Sequence, residues 1–292
     1  MLFRKSVQNI QPSGRVALIG DSPLAFLLAY LLQNNNFEVF FLTASSKLIY
    51  QSVSITLKTD SFQAKRFSVN YKDALPFSAD FCCIASSPDN YKKDFLLVQN
   101  SALKDTPVLN FSHLYNRHLF GEQKDLDIIP VYSTCWLNFE KNILELQGGK
   151  TIFEICCPAK NFGSYEPLFK NPLVETKNIS NSKPSLWQHL VPFILSHLFI
   201  ASYKKDFLSH LKQKDVREQI LSALRELCTL AKQDKEEVKE SDVLAFLYTI
   251  PDEHKSEFSN PSNLSVLASL VPQVSYFDTP ALYKLFSLAN KS

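Results

Sequence analysis

The stretch from Arg15 to Thr43, RVALIGDSPLAFLLAYLLQNNNFEVFFLT, decides the fold of this chain. Val16 to Ile19 is a continuous apolar run, which is typical of a strand buried on both faces of a parallel sheet. A helix follows to about Gln33, three asparagines make a turn, and Phe37 to Leu42 is a second apolar strand. The stretch therefore predicts a compact βαβ unit.

The turn between the first strand and the helix is a variant of the G-x-G-x-x-G/A dinucleotide fingerprint, and it reads GDSPLA. Gly20 and Ala25 satisfy the first and last positions, and Ser22 stands at the second. Ser22 is a typical helix cap and Pro23 a typical first helical residue, so a helix N-terminus here can offer amides and a positive dipole end to a phosphate. We predict that Gly20, Ser22, Pro23 and Ala25 bind a dinucleotide; a strand-to-helix turn that binds nothing is the alternative.

Charge and composition narrow the class of protein. A chain of 292 residues suggests about two domains, and its 45% hydrophobic content is enough for substantial cores. The 31 basic and 29 acidic residues leave a formal charge of +2, which gives no electrostatic case for a nucleic-acid or membrane-surface partner. No apolar run reaches the roughly 20 residues of a spanning helix, and the first residues lack the apolar core of a secretory signal. The expectation is a cytoplasmic protein.

The six cysteines fit the same expectation. Cys82-Cys83 and Cys156-Cys157 are adjacent pairs inside apolar, strand-like runs, and Cys135 and Cys228 stand alone. None of these spacings is typical of a metal site. We therefore expect buried, reduced thiols and no metal.

The first half of the chain alternates apolar strands with helices, which predicts a mostly parallel sheet. Ligands of such sheets lie just beyond the carboxyl ends of the strands. The loops that begin at Gly20, Ala44, Ser86 and Ser112 should therefore gather on one rim, and Ser86 joins the predicted cofactor-binding residues.

The end of the second strand carries the signal for the type of dinucleotide. Ser45, Ser46 and Lys47 can hold a 2′-phosphate, and no Asp or Glu stands there to favour NAD. The sequence therefore leans towards NADP, with Ser45 and Lys47 as cofactor-binding residues. Lys47 as a solvated loop charge is the other interpretation.

The second half of the chain changes character twice. From Asp127 short extended runs follow one another, and Gly148-Gly149 between two of them is a hairpin signal that predicts an antiparallel extension of the sheet. After a polar connector around Pro184 the pattern is helical, with Pro192 either kinking the first helix or lying near its start. We predict an α/β Rossmann-like domain over residues 1–180 and an all-α domain over residues 181–292.

A collinear set of segments resembles the ketopantoate reductase family (2-dehydropantoate 2-reductases), which reduce a 2-keto acid with NADPH. The segments are VALIGDSPLAFLLAYLL, TPVLNFSHLYN, STCWLNFEKNILELQGGKTIFEI, KPSLWQHLVPFILSHLFIAS, VREQILSALRELCTLAKQ and TPALYKLFSLAN. They span nearly the whole chain. The resemblance implies NADPH as cofactor, a small 2-keto acid as substrate, and either a monomer or a homodimer held through the helical domain.

The resemblance also implies positions for the site, and most of them are changed. The family's proposed general acid is a Lys near the start of the helix after the linker. Two Asn follow it at intervals of four residues and help to bind the substrate. Here Trp187 marks that helix, and His189, Phe193 and His197 hold those positions. Because histidine titrates near neutral pH, His189 and His197 are candidate catalytic residues; partly buried or surface histidines are the alternative.

Other family positions are changed as well. A Lys that usually follows the strand ending near Ala85 is replaced by serine, and the Asn of the family's H-N-G-x-G loop falls on or beside a histidine. The family's substrate-binding Glu in a later helix corresponds approximately to Asn263. The remaining candidates are His113 for catalysis and Tyr115, Asn116 and Asn263 for substrate binding.

Two hypotheses follow from the changed positions. The first is a divergent NADPH-dependent 2-keto acid reductase. The second is a reductase-fold protein that has lost catalysis and acts as a nucleotide-binding or interaction module. Retention of Gly20, Ser22 and Ala25 favours nucleotide binding, whereas the missing Lys, Asn and Glu favour lost catalysis.

Overall fold

The computed structural model describes residues 13–43, 52–60, 62–72, 78–112, 127–179, 186–203, 207–251, 267–271, 275 and 278–291. The strands are β1 (Gly14–Ile19), β2 (Phe37–Leu42), β3 (Ser52–Thr59), β4 (Phe62–Asn70), β5 (Phe81–Ile84), β6 (Val108–Asn110), β7 (Ile128–Glu140), β8 (Ile143–Ile155) and β9 (Val174–Asn178). The helices are α1 (Pro23–Asn34), α2 (Tyr91–Gln99), α3 (Ala159–Tyr165), a 3-10 helix (Glu166–Phe169), α4 (Leu186–Tyr203), α5 (Phe207–Lys212), α6 (Lys214–Gln233), α7 (Glu240–Leu247) and α8 (Pro280–Lys291).

The described strands form one mixed sheet. Along it the order is β2-β1-β5-β6-β7-β8-β3-β4, and β9 pairs with the second half of β8. Neighbours from β2 to β7 run parallel, whereas β8 is antiparallel to β7 and β4 is antiparallel to β3. The predicted fold class, a Rossmann-like α/β part with an antiparallel extension followed by helices, is confirmed.

The βαβ unit is built as the opening stretch predicts. Val16 and Leu18 point to the face of the sheet covered by α1, and Ala17 and Ile19 to the opposite face, where α2 packs. Every residue of α1 from Ala25 to Leu32 is buried, as expected of a helix that is apolar all round. The carboxyl end of β1 is therefore fixed from both sides.

The hairpin between β7 and β8 is not where the glycine pair predicted it. The chain turns at Lys141 and Asn142, which both have positive φ (51° and 63°), as a two-residue type I′ turn requires. Gly148-Gly149 lies inside β8 instead, where Gly148 (φ 73°) accompanies an irregularity in the pairing with β7. The glycines therefore serve a bulge rather than a turn.

The helical part after β9 has an apolar core of its own. Pro192 lies inside α4, and the buried faces of α4, α6, α7 and α8 meet in one cluster. Trp136 of β7 is buried in this cluster, and its ring centroid lies 5.4 Å from that of Phe246 of α7. The predicted boundary between residues 180 and 181 falls outside the described residues and stays a prediction. None of the described helices combines the length and apolar character that a membrane span needs.

Candidate functional site

Gly20 ends β1 at a point where two chain segments almost touch. Its φ is +144°, and a Cβ placed on it would lie 2.1 Å from the carbonyl oxygen of Ala85, just after β5. A side chain at position 20 would therefore meet rigid backbone in a backbone conformation that L residues rarely adopt. The first glycine of the fingerprint is needed for the close approach of the β1 and β5 ends.

Ser22 caps α1 as predicted and also ties the turn to β5. Its Oγ accepts the N–H of Ala25 at 3.4 Å, and Pro23 fills the first helical turn. The Ser22 hydroxyl donates to the carbonyl oxygen of Ala85 at 2.7 Å, and the residue is only 6% exposed. Donation from Ser22 to a phosphate oxygen would therefore replace a hydrogen bond that already exists within the protein.

Asp21 is a residue of this turn that the sequence analysis did not single out. Its Oδ1 accepts the backbone N–H of Ser87 at 2.8 Å, and its Oδ2 accepts the Asn90 side-chain amide at 2.6 Å. Burial, and secondly the charge of Asp21, raise the pKa of Tyr71 to about 12. The Asp21 carboxylate thus accepts hydrogen bonds from two donors near the start of α2 and adds negative charge to the turn.

Ser86 lies at the carboxyl end of β5, next to the end of β6. Its N–H donates to the Ser112 Oγ at 2.8 Å, and the Ser112 hydroxyl donates back to the Ser86 carbonyl at 3.1 Å. The structure thus brings the ends of β1, β5 and β6 together. The Ser86 hydroxyl oxygen is buried and has no hydrogen-bond partner among the described residues.

At the carboxyl ends of β1, β5 and β6, two features favour the binding of a dinucleotide and one opposes it. The N-terminus of α1 presents the positive end of its dipole at the turn, and the orphan Ser86 hydroxyl is a polar group that a bound ligand can satisfy. Asp21 is the feature that opposes binding, because its negative charge repels a phosphate. The other predicted residues, Ser45, Lys47, His113, Tyr115, Asn116 and Asn263, lie outside the described residues.

His189 projects from the first turns of α4 onto the sheet. Its ring stacks on Tyr132 of β7, with ring centroids 3.5 Å apart and planes 12° from parallel. Its Nδ1 lies 3.6 Å from Oε2 of Glu154 on β8, and Tyr132 and Glu154 are paired neighbours across the two strands. The imidazole is therefore held between the helical part and the antiparallel extension.

Burial controls the protonation of this cluster. It lowers the pKa of His189 to about 4 and raises the pKa values of Glu154 and Tyr132 above their ordinary values. Near neutral pH the His189 ring is therefore uncharged, and it can accept a proton or donate one hydrogen bond. It does not carry the ready proton of an imidazolium.

His197 has different surroundings from His189. It lies two turns further along α4, and its half-buried ring packs edge-on against Phe193, with centroids 4.5 Å apart. The contacts of His189 run to the sheet, whereas this contact of His197 is within its own helix. The two histidines predicted as a pair therefore lie in different packing environments.

The start of α4 is anchored by two acidic residues that the sequence analysis missed. The Trp187 backbone N–H donates to Glu236 at 2.9 Å, and its indole Nε1–H donates to Asp234 at 2.7 Å. Both carboxylates belong to the turn after α6, which passes through Lys235 at φ 62°. These bonds fix the helix turn that carries His189.

A βαβ-based mixed sheet followed by helices defines a fold that known structures share. No protein-family model and no curated protein matches the sequence. In structure the chain resembles a dimeric ketopantoate reductase from Staphylococcus aureus, with 14% identity, TM-score 0.69, and 94% of this chain and 97% of the other covered. It also resembles a ketopantoate reductase from Ralstonia eutropha, with 15% identity, TM-score 0.73, and 94% and 97% covered.

A third structure extends the comparison beyond ketopantoate reductases. It is a ternary complex of D-mandelate dehydrogenase with NADH and anilino(oxo)acetate, with 13% identity, TM-score 0.73, and 94% and 97% of the two chains covered. The resemblance stated from the sequence is thereby confirmed at the level of the fold. Over 94% of its length the chain has the fold that these ketopantoate reductases and D-mandelate dehydrogenase share.

Proposed function

We propose that this protein is a nicotinamide-dependent oxidoreductase that interconverts a small 2-keto acid and its 2-hydroxy acid, with NADPH-dependent reduction of ketopantoate to pantoate as the reaction to test first. The observation that carries the proposal is the placement of His189. It sits near the start of the helix where the reductase family has its proposed general acid, and it meets the sheet at Tyr132 and Glu154.

The chain's own residues support a place for the cofactor. Gly20, Ser22, Pro23, Ala25 and Ser86 would hold the dinucleotide at the joined ends of β1 and β5, and Ser45 and Lys47 would hold the 2′-phosphate of NADP. A bound nicotinamide supplies the hydride for the carbonyl carbon.

His189 would exchange the proton at the substrate oxygen. His197 and His113 remain further catalytic candidates, and Tyr115, Asn116 and Asn263 remain candidates for substrate contacts. These roles divide the reaction between proton transfer on α4 and substrate orientation elsewhere.

A second candidate function is favoured by Asp21. The Asp21 carboxylate already accepts hydrogen bonds from the Ser87 N–H and the Asn90 side chain, and its charge repels phosphate. Both features favour a reductase-fold protein that has lost catalysis and acts as an interaction module. The neutral state of His189 favours the same alternative, because reduction needs a proton donor.

Fluorescence titration with NADPH and NADH separates the two functions. The oxidoreductase is expected to bind at least one of them saturably, with NADPH the tighter, and then to turn over in a series of 2-keto acids that begins with ketopantoate. Asp21→Asn, which keeps an acceptor for Ser87, should bind either cofactor several-fold more tightly. If neither cofactor binds the wild type or the variant at millimolar concentration, the enzyme function is wrong and the second candidate stands.

A further inference from the structure

Glu154 of β8 presents a carboxylate to His189 from the sheet. The distance from its Oε2 to Nδ1 of His189 is 3.6 Å, longer than a hydrogen bond but within the range of an ion pair. Their side chains are 28% and 21% exposed. Catalytic hydrogen bonds are often long in ligand-free proteins and shorten when substrate binds. The contact is therefore placed to become a hydrogen bond.

The surroundings hold the pair in one orientation. The Tyr132 ring covers one face of the imidazole, and the bonds from Trp187 to Asp234 and Glu236 fix the helix turn beneath it. A ring stacked at 3.5 Å cannot rotate freely, so the nitrogen that faces Glu154 stays the same.

Ionisable groups on β9, after β8 and after α6 act on Glu154 and on Tyr132. Lys177 of β9 favours the ionised form of Glu154, and Cys156 and Glu236 lie near enough to Tyr132 to act on its hydroxyl. Burial raises the pKa of Cys156 to about 12, so this thiol stays protonated near neutral pH. Glu236 accepts the Trp187 N–H, whereas Glu154 has a carboxylate oxygen 3.6 Å from Nδ1 and is placed to accept a hydrogen bond from that nitrogen.

We infer that Glu154 is a positioning residue for His189: it accepts the Nδ1–H of the neutral ring, fixes that tautomer, and leaves the lone pair of Nε2 as the atom that exchanges a proton with the substrate oxygen. This inference rests on the proposed function. It gives the proton exchange of a hydroxy acid dehydrogenase to a histidine and carboxylate pair where the related fold has a lysine.

The pair would serve the interconversion of a 2-hydroxy acid and its 2-keto acid. In the direction of oxidation the O–H bond of a 2-hydroxy acid would break and its proton would move to Nε2, while a bound oxidised nicotinamide would accept the hydride from the breaking C–H bond, leaving a C=O bond. The imidazolium that forms is stabilised by the Glu154 carboxylate. Reduction of the 2-keto acid is the reverse, with the proton returned from Nε2 to the oxygen.

The tautomer of His189 is measured directly by nitrogen-15 NMR of the full-length protein near neutral pH, without cofactor. The wild type should show the Nδ1–H tautomer. Glu154→Met keeps a side chain of similar length and removes the acceptor, so the ring should change to the Nε2–H tautomer. Glu145→Met, on the same strand as Glu154 and paired with Lys58 at 3.7 Å on the surface, is the matched control and should leave the tautomer unchanged.

Kinetics add a second measurement with the same variants. Glu154→Met should lower kcat by about 10- to 100-fold with little change in KM, whereas Glu145→Met should change neither. A wild-type ring with Nε2–H, or an unchanged tautomer or kcat in Glu154→Met, would overturn the inference. The wild-type spectrum alone decides the point if that variant does not fold. Absence of cofactor binding and turnover in the wild type would instead refute the proposed function, because the tautomer is read without either.

Discussion

Gly20 combines two restrictions that rarely meet in one residue. Its φ of +144° suits only glycine, and the Ala85 carbonyl oxygen lies 2.1 Å from the place of a Cβ. Gly20→Ala should therefore lower the free energy of unfolding by about 3 kcal/mol or more, because backbone strain and a backbone clash add. Urea unfolding followed by circular dichroism measures the change.

Gly163 provides the control for this prediction. It lies in α3, and apart from its chain neighbours and its own helix backbone no atom of the described residues comes within 4 Å of its Cβ position, so alanine adds helix propensity without a clash. Gly163→Ala should leave the protein unchanged or up to about 1 kcal/mol more stable. Equal effects of the two substitutions would show that the approach of Gly20 to Ala85 is not what restricts this position.

Residues whose partners are close in sequence could be predicted, and residues whose partners are distant could not. Ser22 was assigned as a cap because the amide it serves is three residues away. The partners of Asp21 lie 66 and 69 residues further on, and Glu154 lies 35 residues before His189, so only the folded sheet brings them together. A single sequence has no local signal for such contacts.

At the scale of elements, a carboxylate from another helix caps the N-terminus of α8. Glu226 of α6 accepts the N–H of Ala281 at 2.9 Å and that of Leu282 at 2.8 Å, two of the amides that have no partner within their own helix. Glu226→Gln removes the charge and one acceptor, and should cost about 1 to 2 kcal/mol of unfolding free energy.

The matched control for this cap lies on the same helix. Glu218 is exposed and 4.0 Å from Lys214, a surface pair that contributes little. Glu218→Gln should change the free energy of unfolding by less than about 0.5 kcal/mol. Hydrogen exchange of the first amides of α8 should accelerate in Glu226→Gln and not in Glu218→Gln, and equal exchange in both would contradict the capping role.

The turn between β7 and β8 shows how local chemistry can mislead. Two adjacent glycines are a strong hairpin signal, yet the chain turns six residues earlier at Lys141 and Asn142, in a conformation that favours glycine or asparagine. The longer hairpin pairs Leu137 with Leu146 and Phe139 with Leu144, which a turn at Gly148 would separate. The pairing of apolar residues therefore overrides the turn signal.

On the scale of the whole molecule, β7 and β8 connect the sheet to the helical part. Trp136 is buried in the helical core, and Gly148 lies with its Cβ position 3.2 Å from that indole and 3.6 Å from Pro251, after α7. Tyr132 and Glu154, further along the same pair of strands, meet His189. The candidate proton-exchange group thus lies in the contact that joins the two parts, and its protonation should affect the stability of the entire fold.

The last prediction concerns the pH dependence of that stability. The pKa of His189 is about 4 in the folded protein and near its ordinary 6.5 in the unfolded chain. As the pH falls below 6.5 the unfolded chain takes up a proton that the folded protein does not, so stability is lost between pH 6.5 and 4. Burial raises the pKa of Glu154, so just above the ordinary pKa of a glutamate the folded protein takes up a proton that the unfolded chain does not. This stabilises the fold as the pH falls and offsets a part of the loss.

His189→Phe keeps an aromatic ring on Tyr132 and removes the titration, so it isolates this effect. Between about pH 7 and pH 4.5 the wild type should lose about 2 kcal/mol of unfolding free energy relative to the variant, measured by urea unfolding at each pH. Tyr132→Phe is the control, because the tyrosine hydroxyl does not titrate in this range and the stack is retained. Parallel pH profiles for the wild type and His189→Phe would mean that His189 takes up its proton at the same pH in the folded protein as in the unfolded chain, and that burial does not keep the ring neutral at the junction.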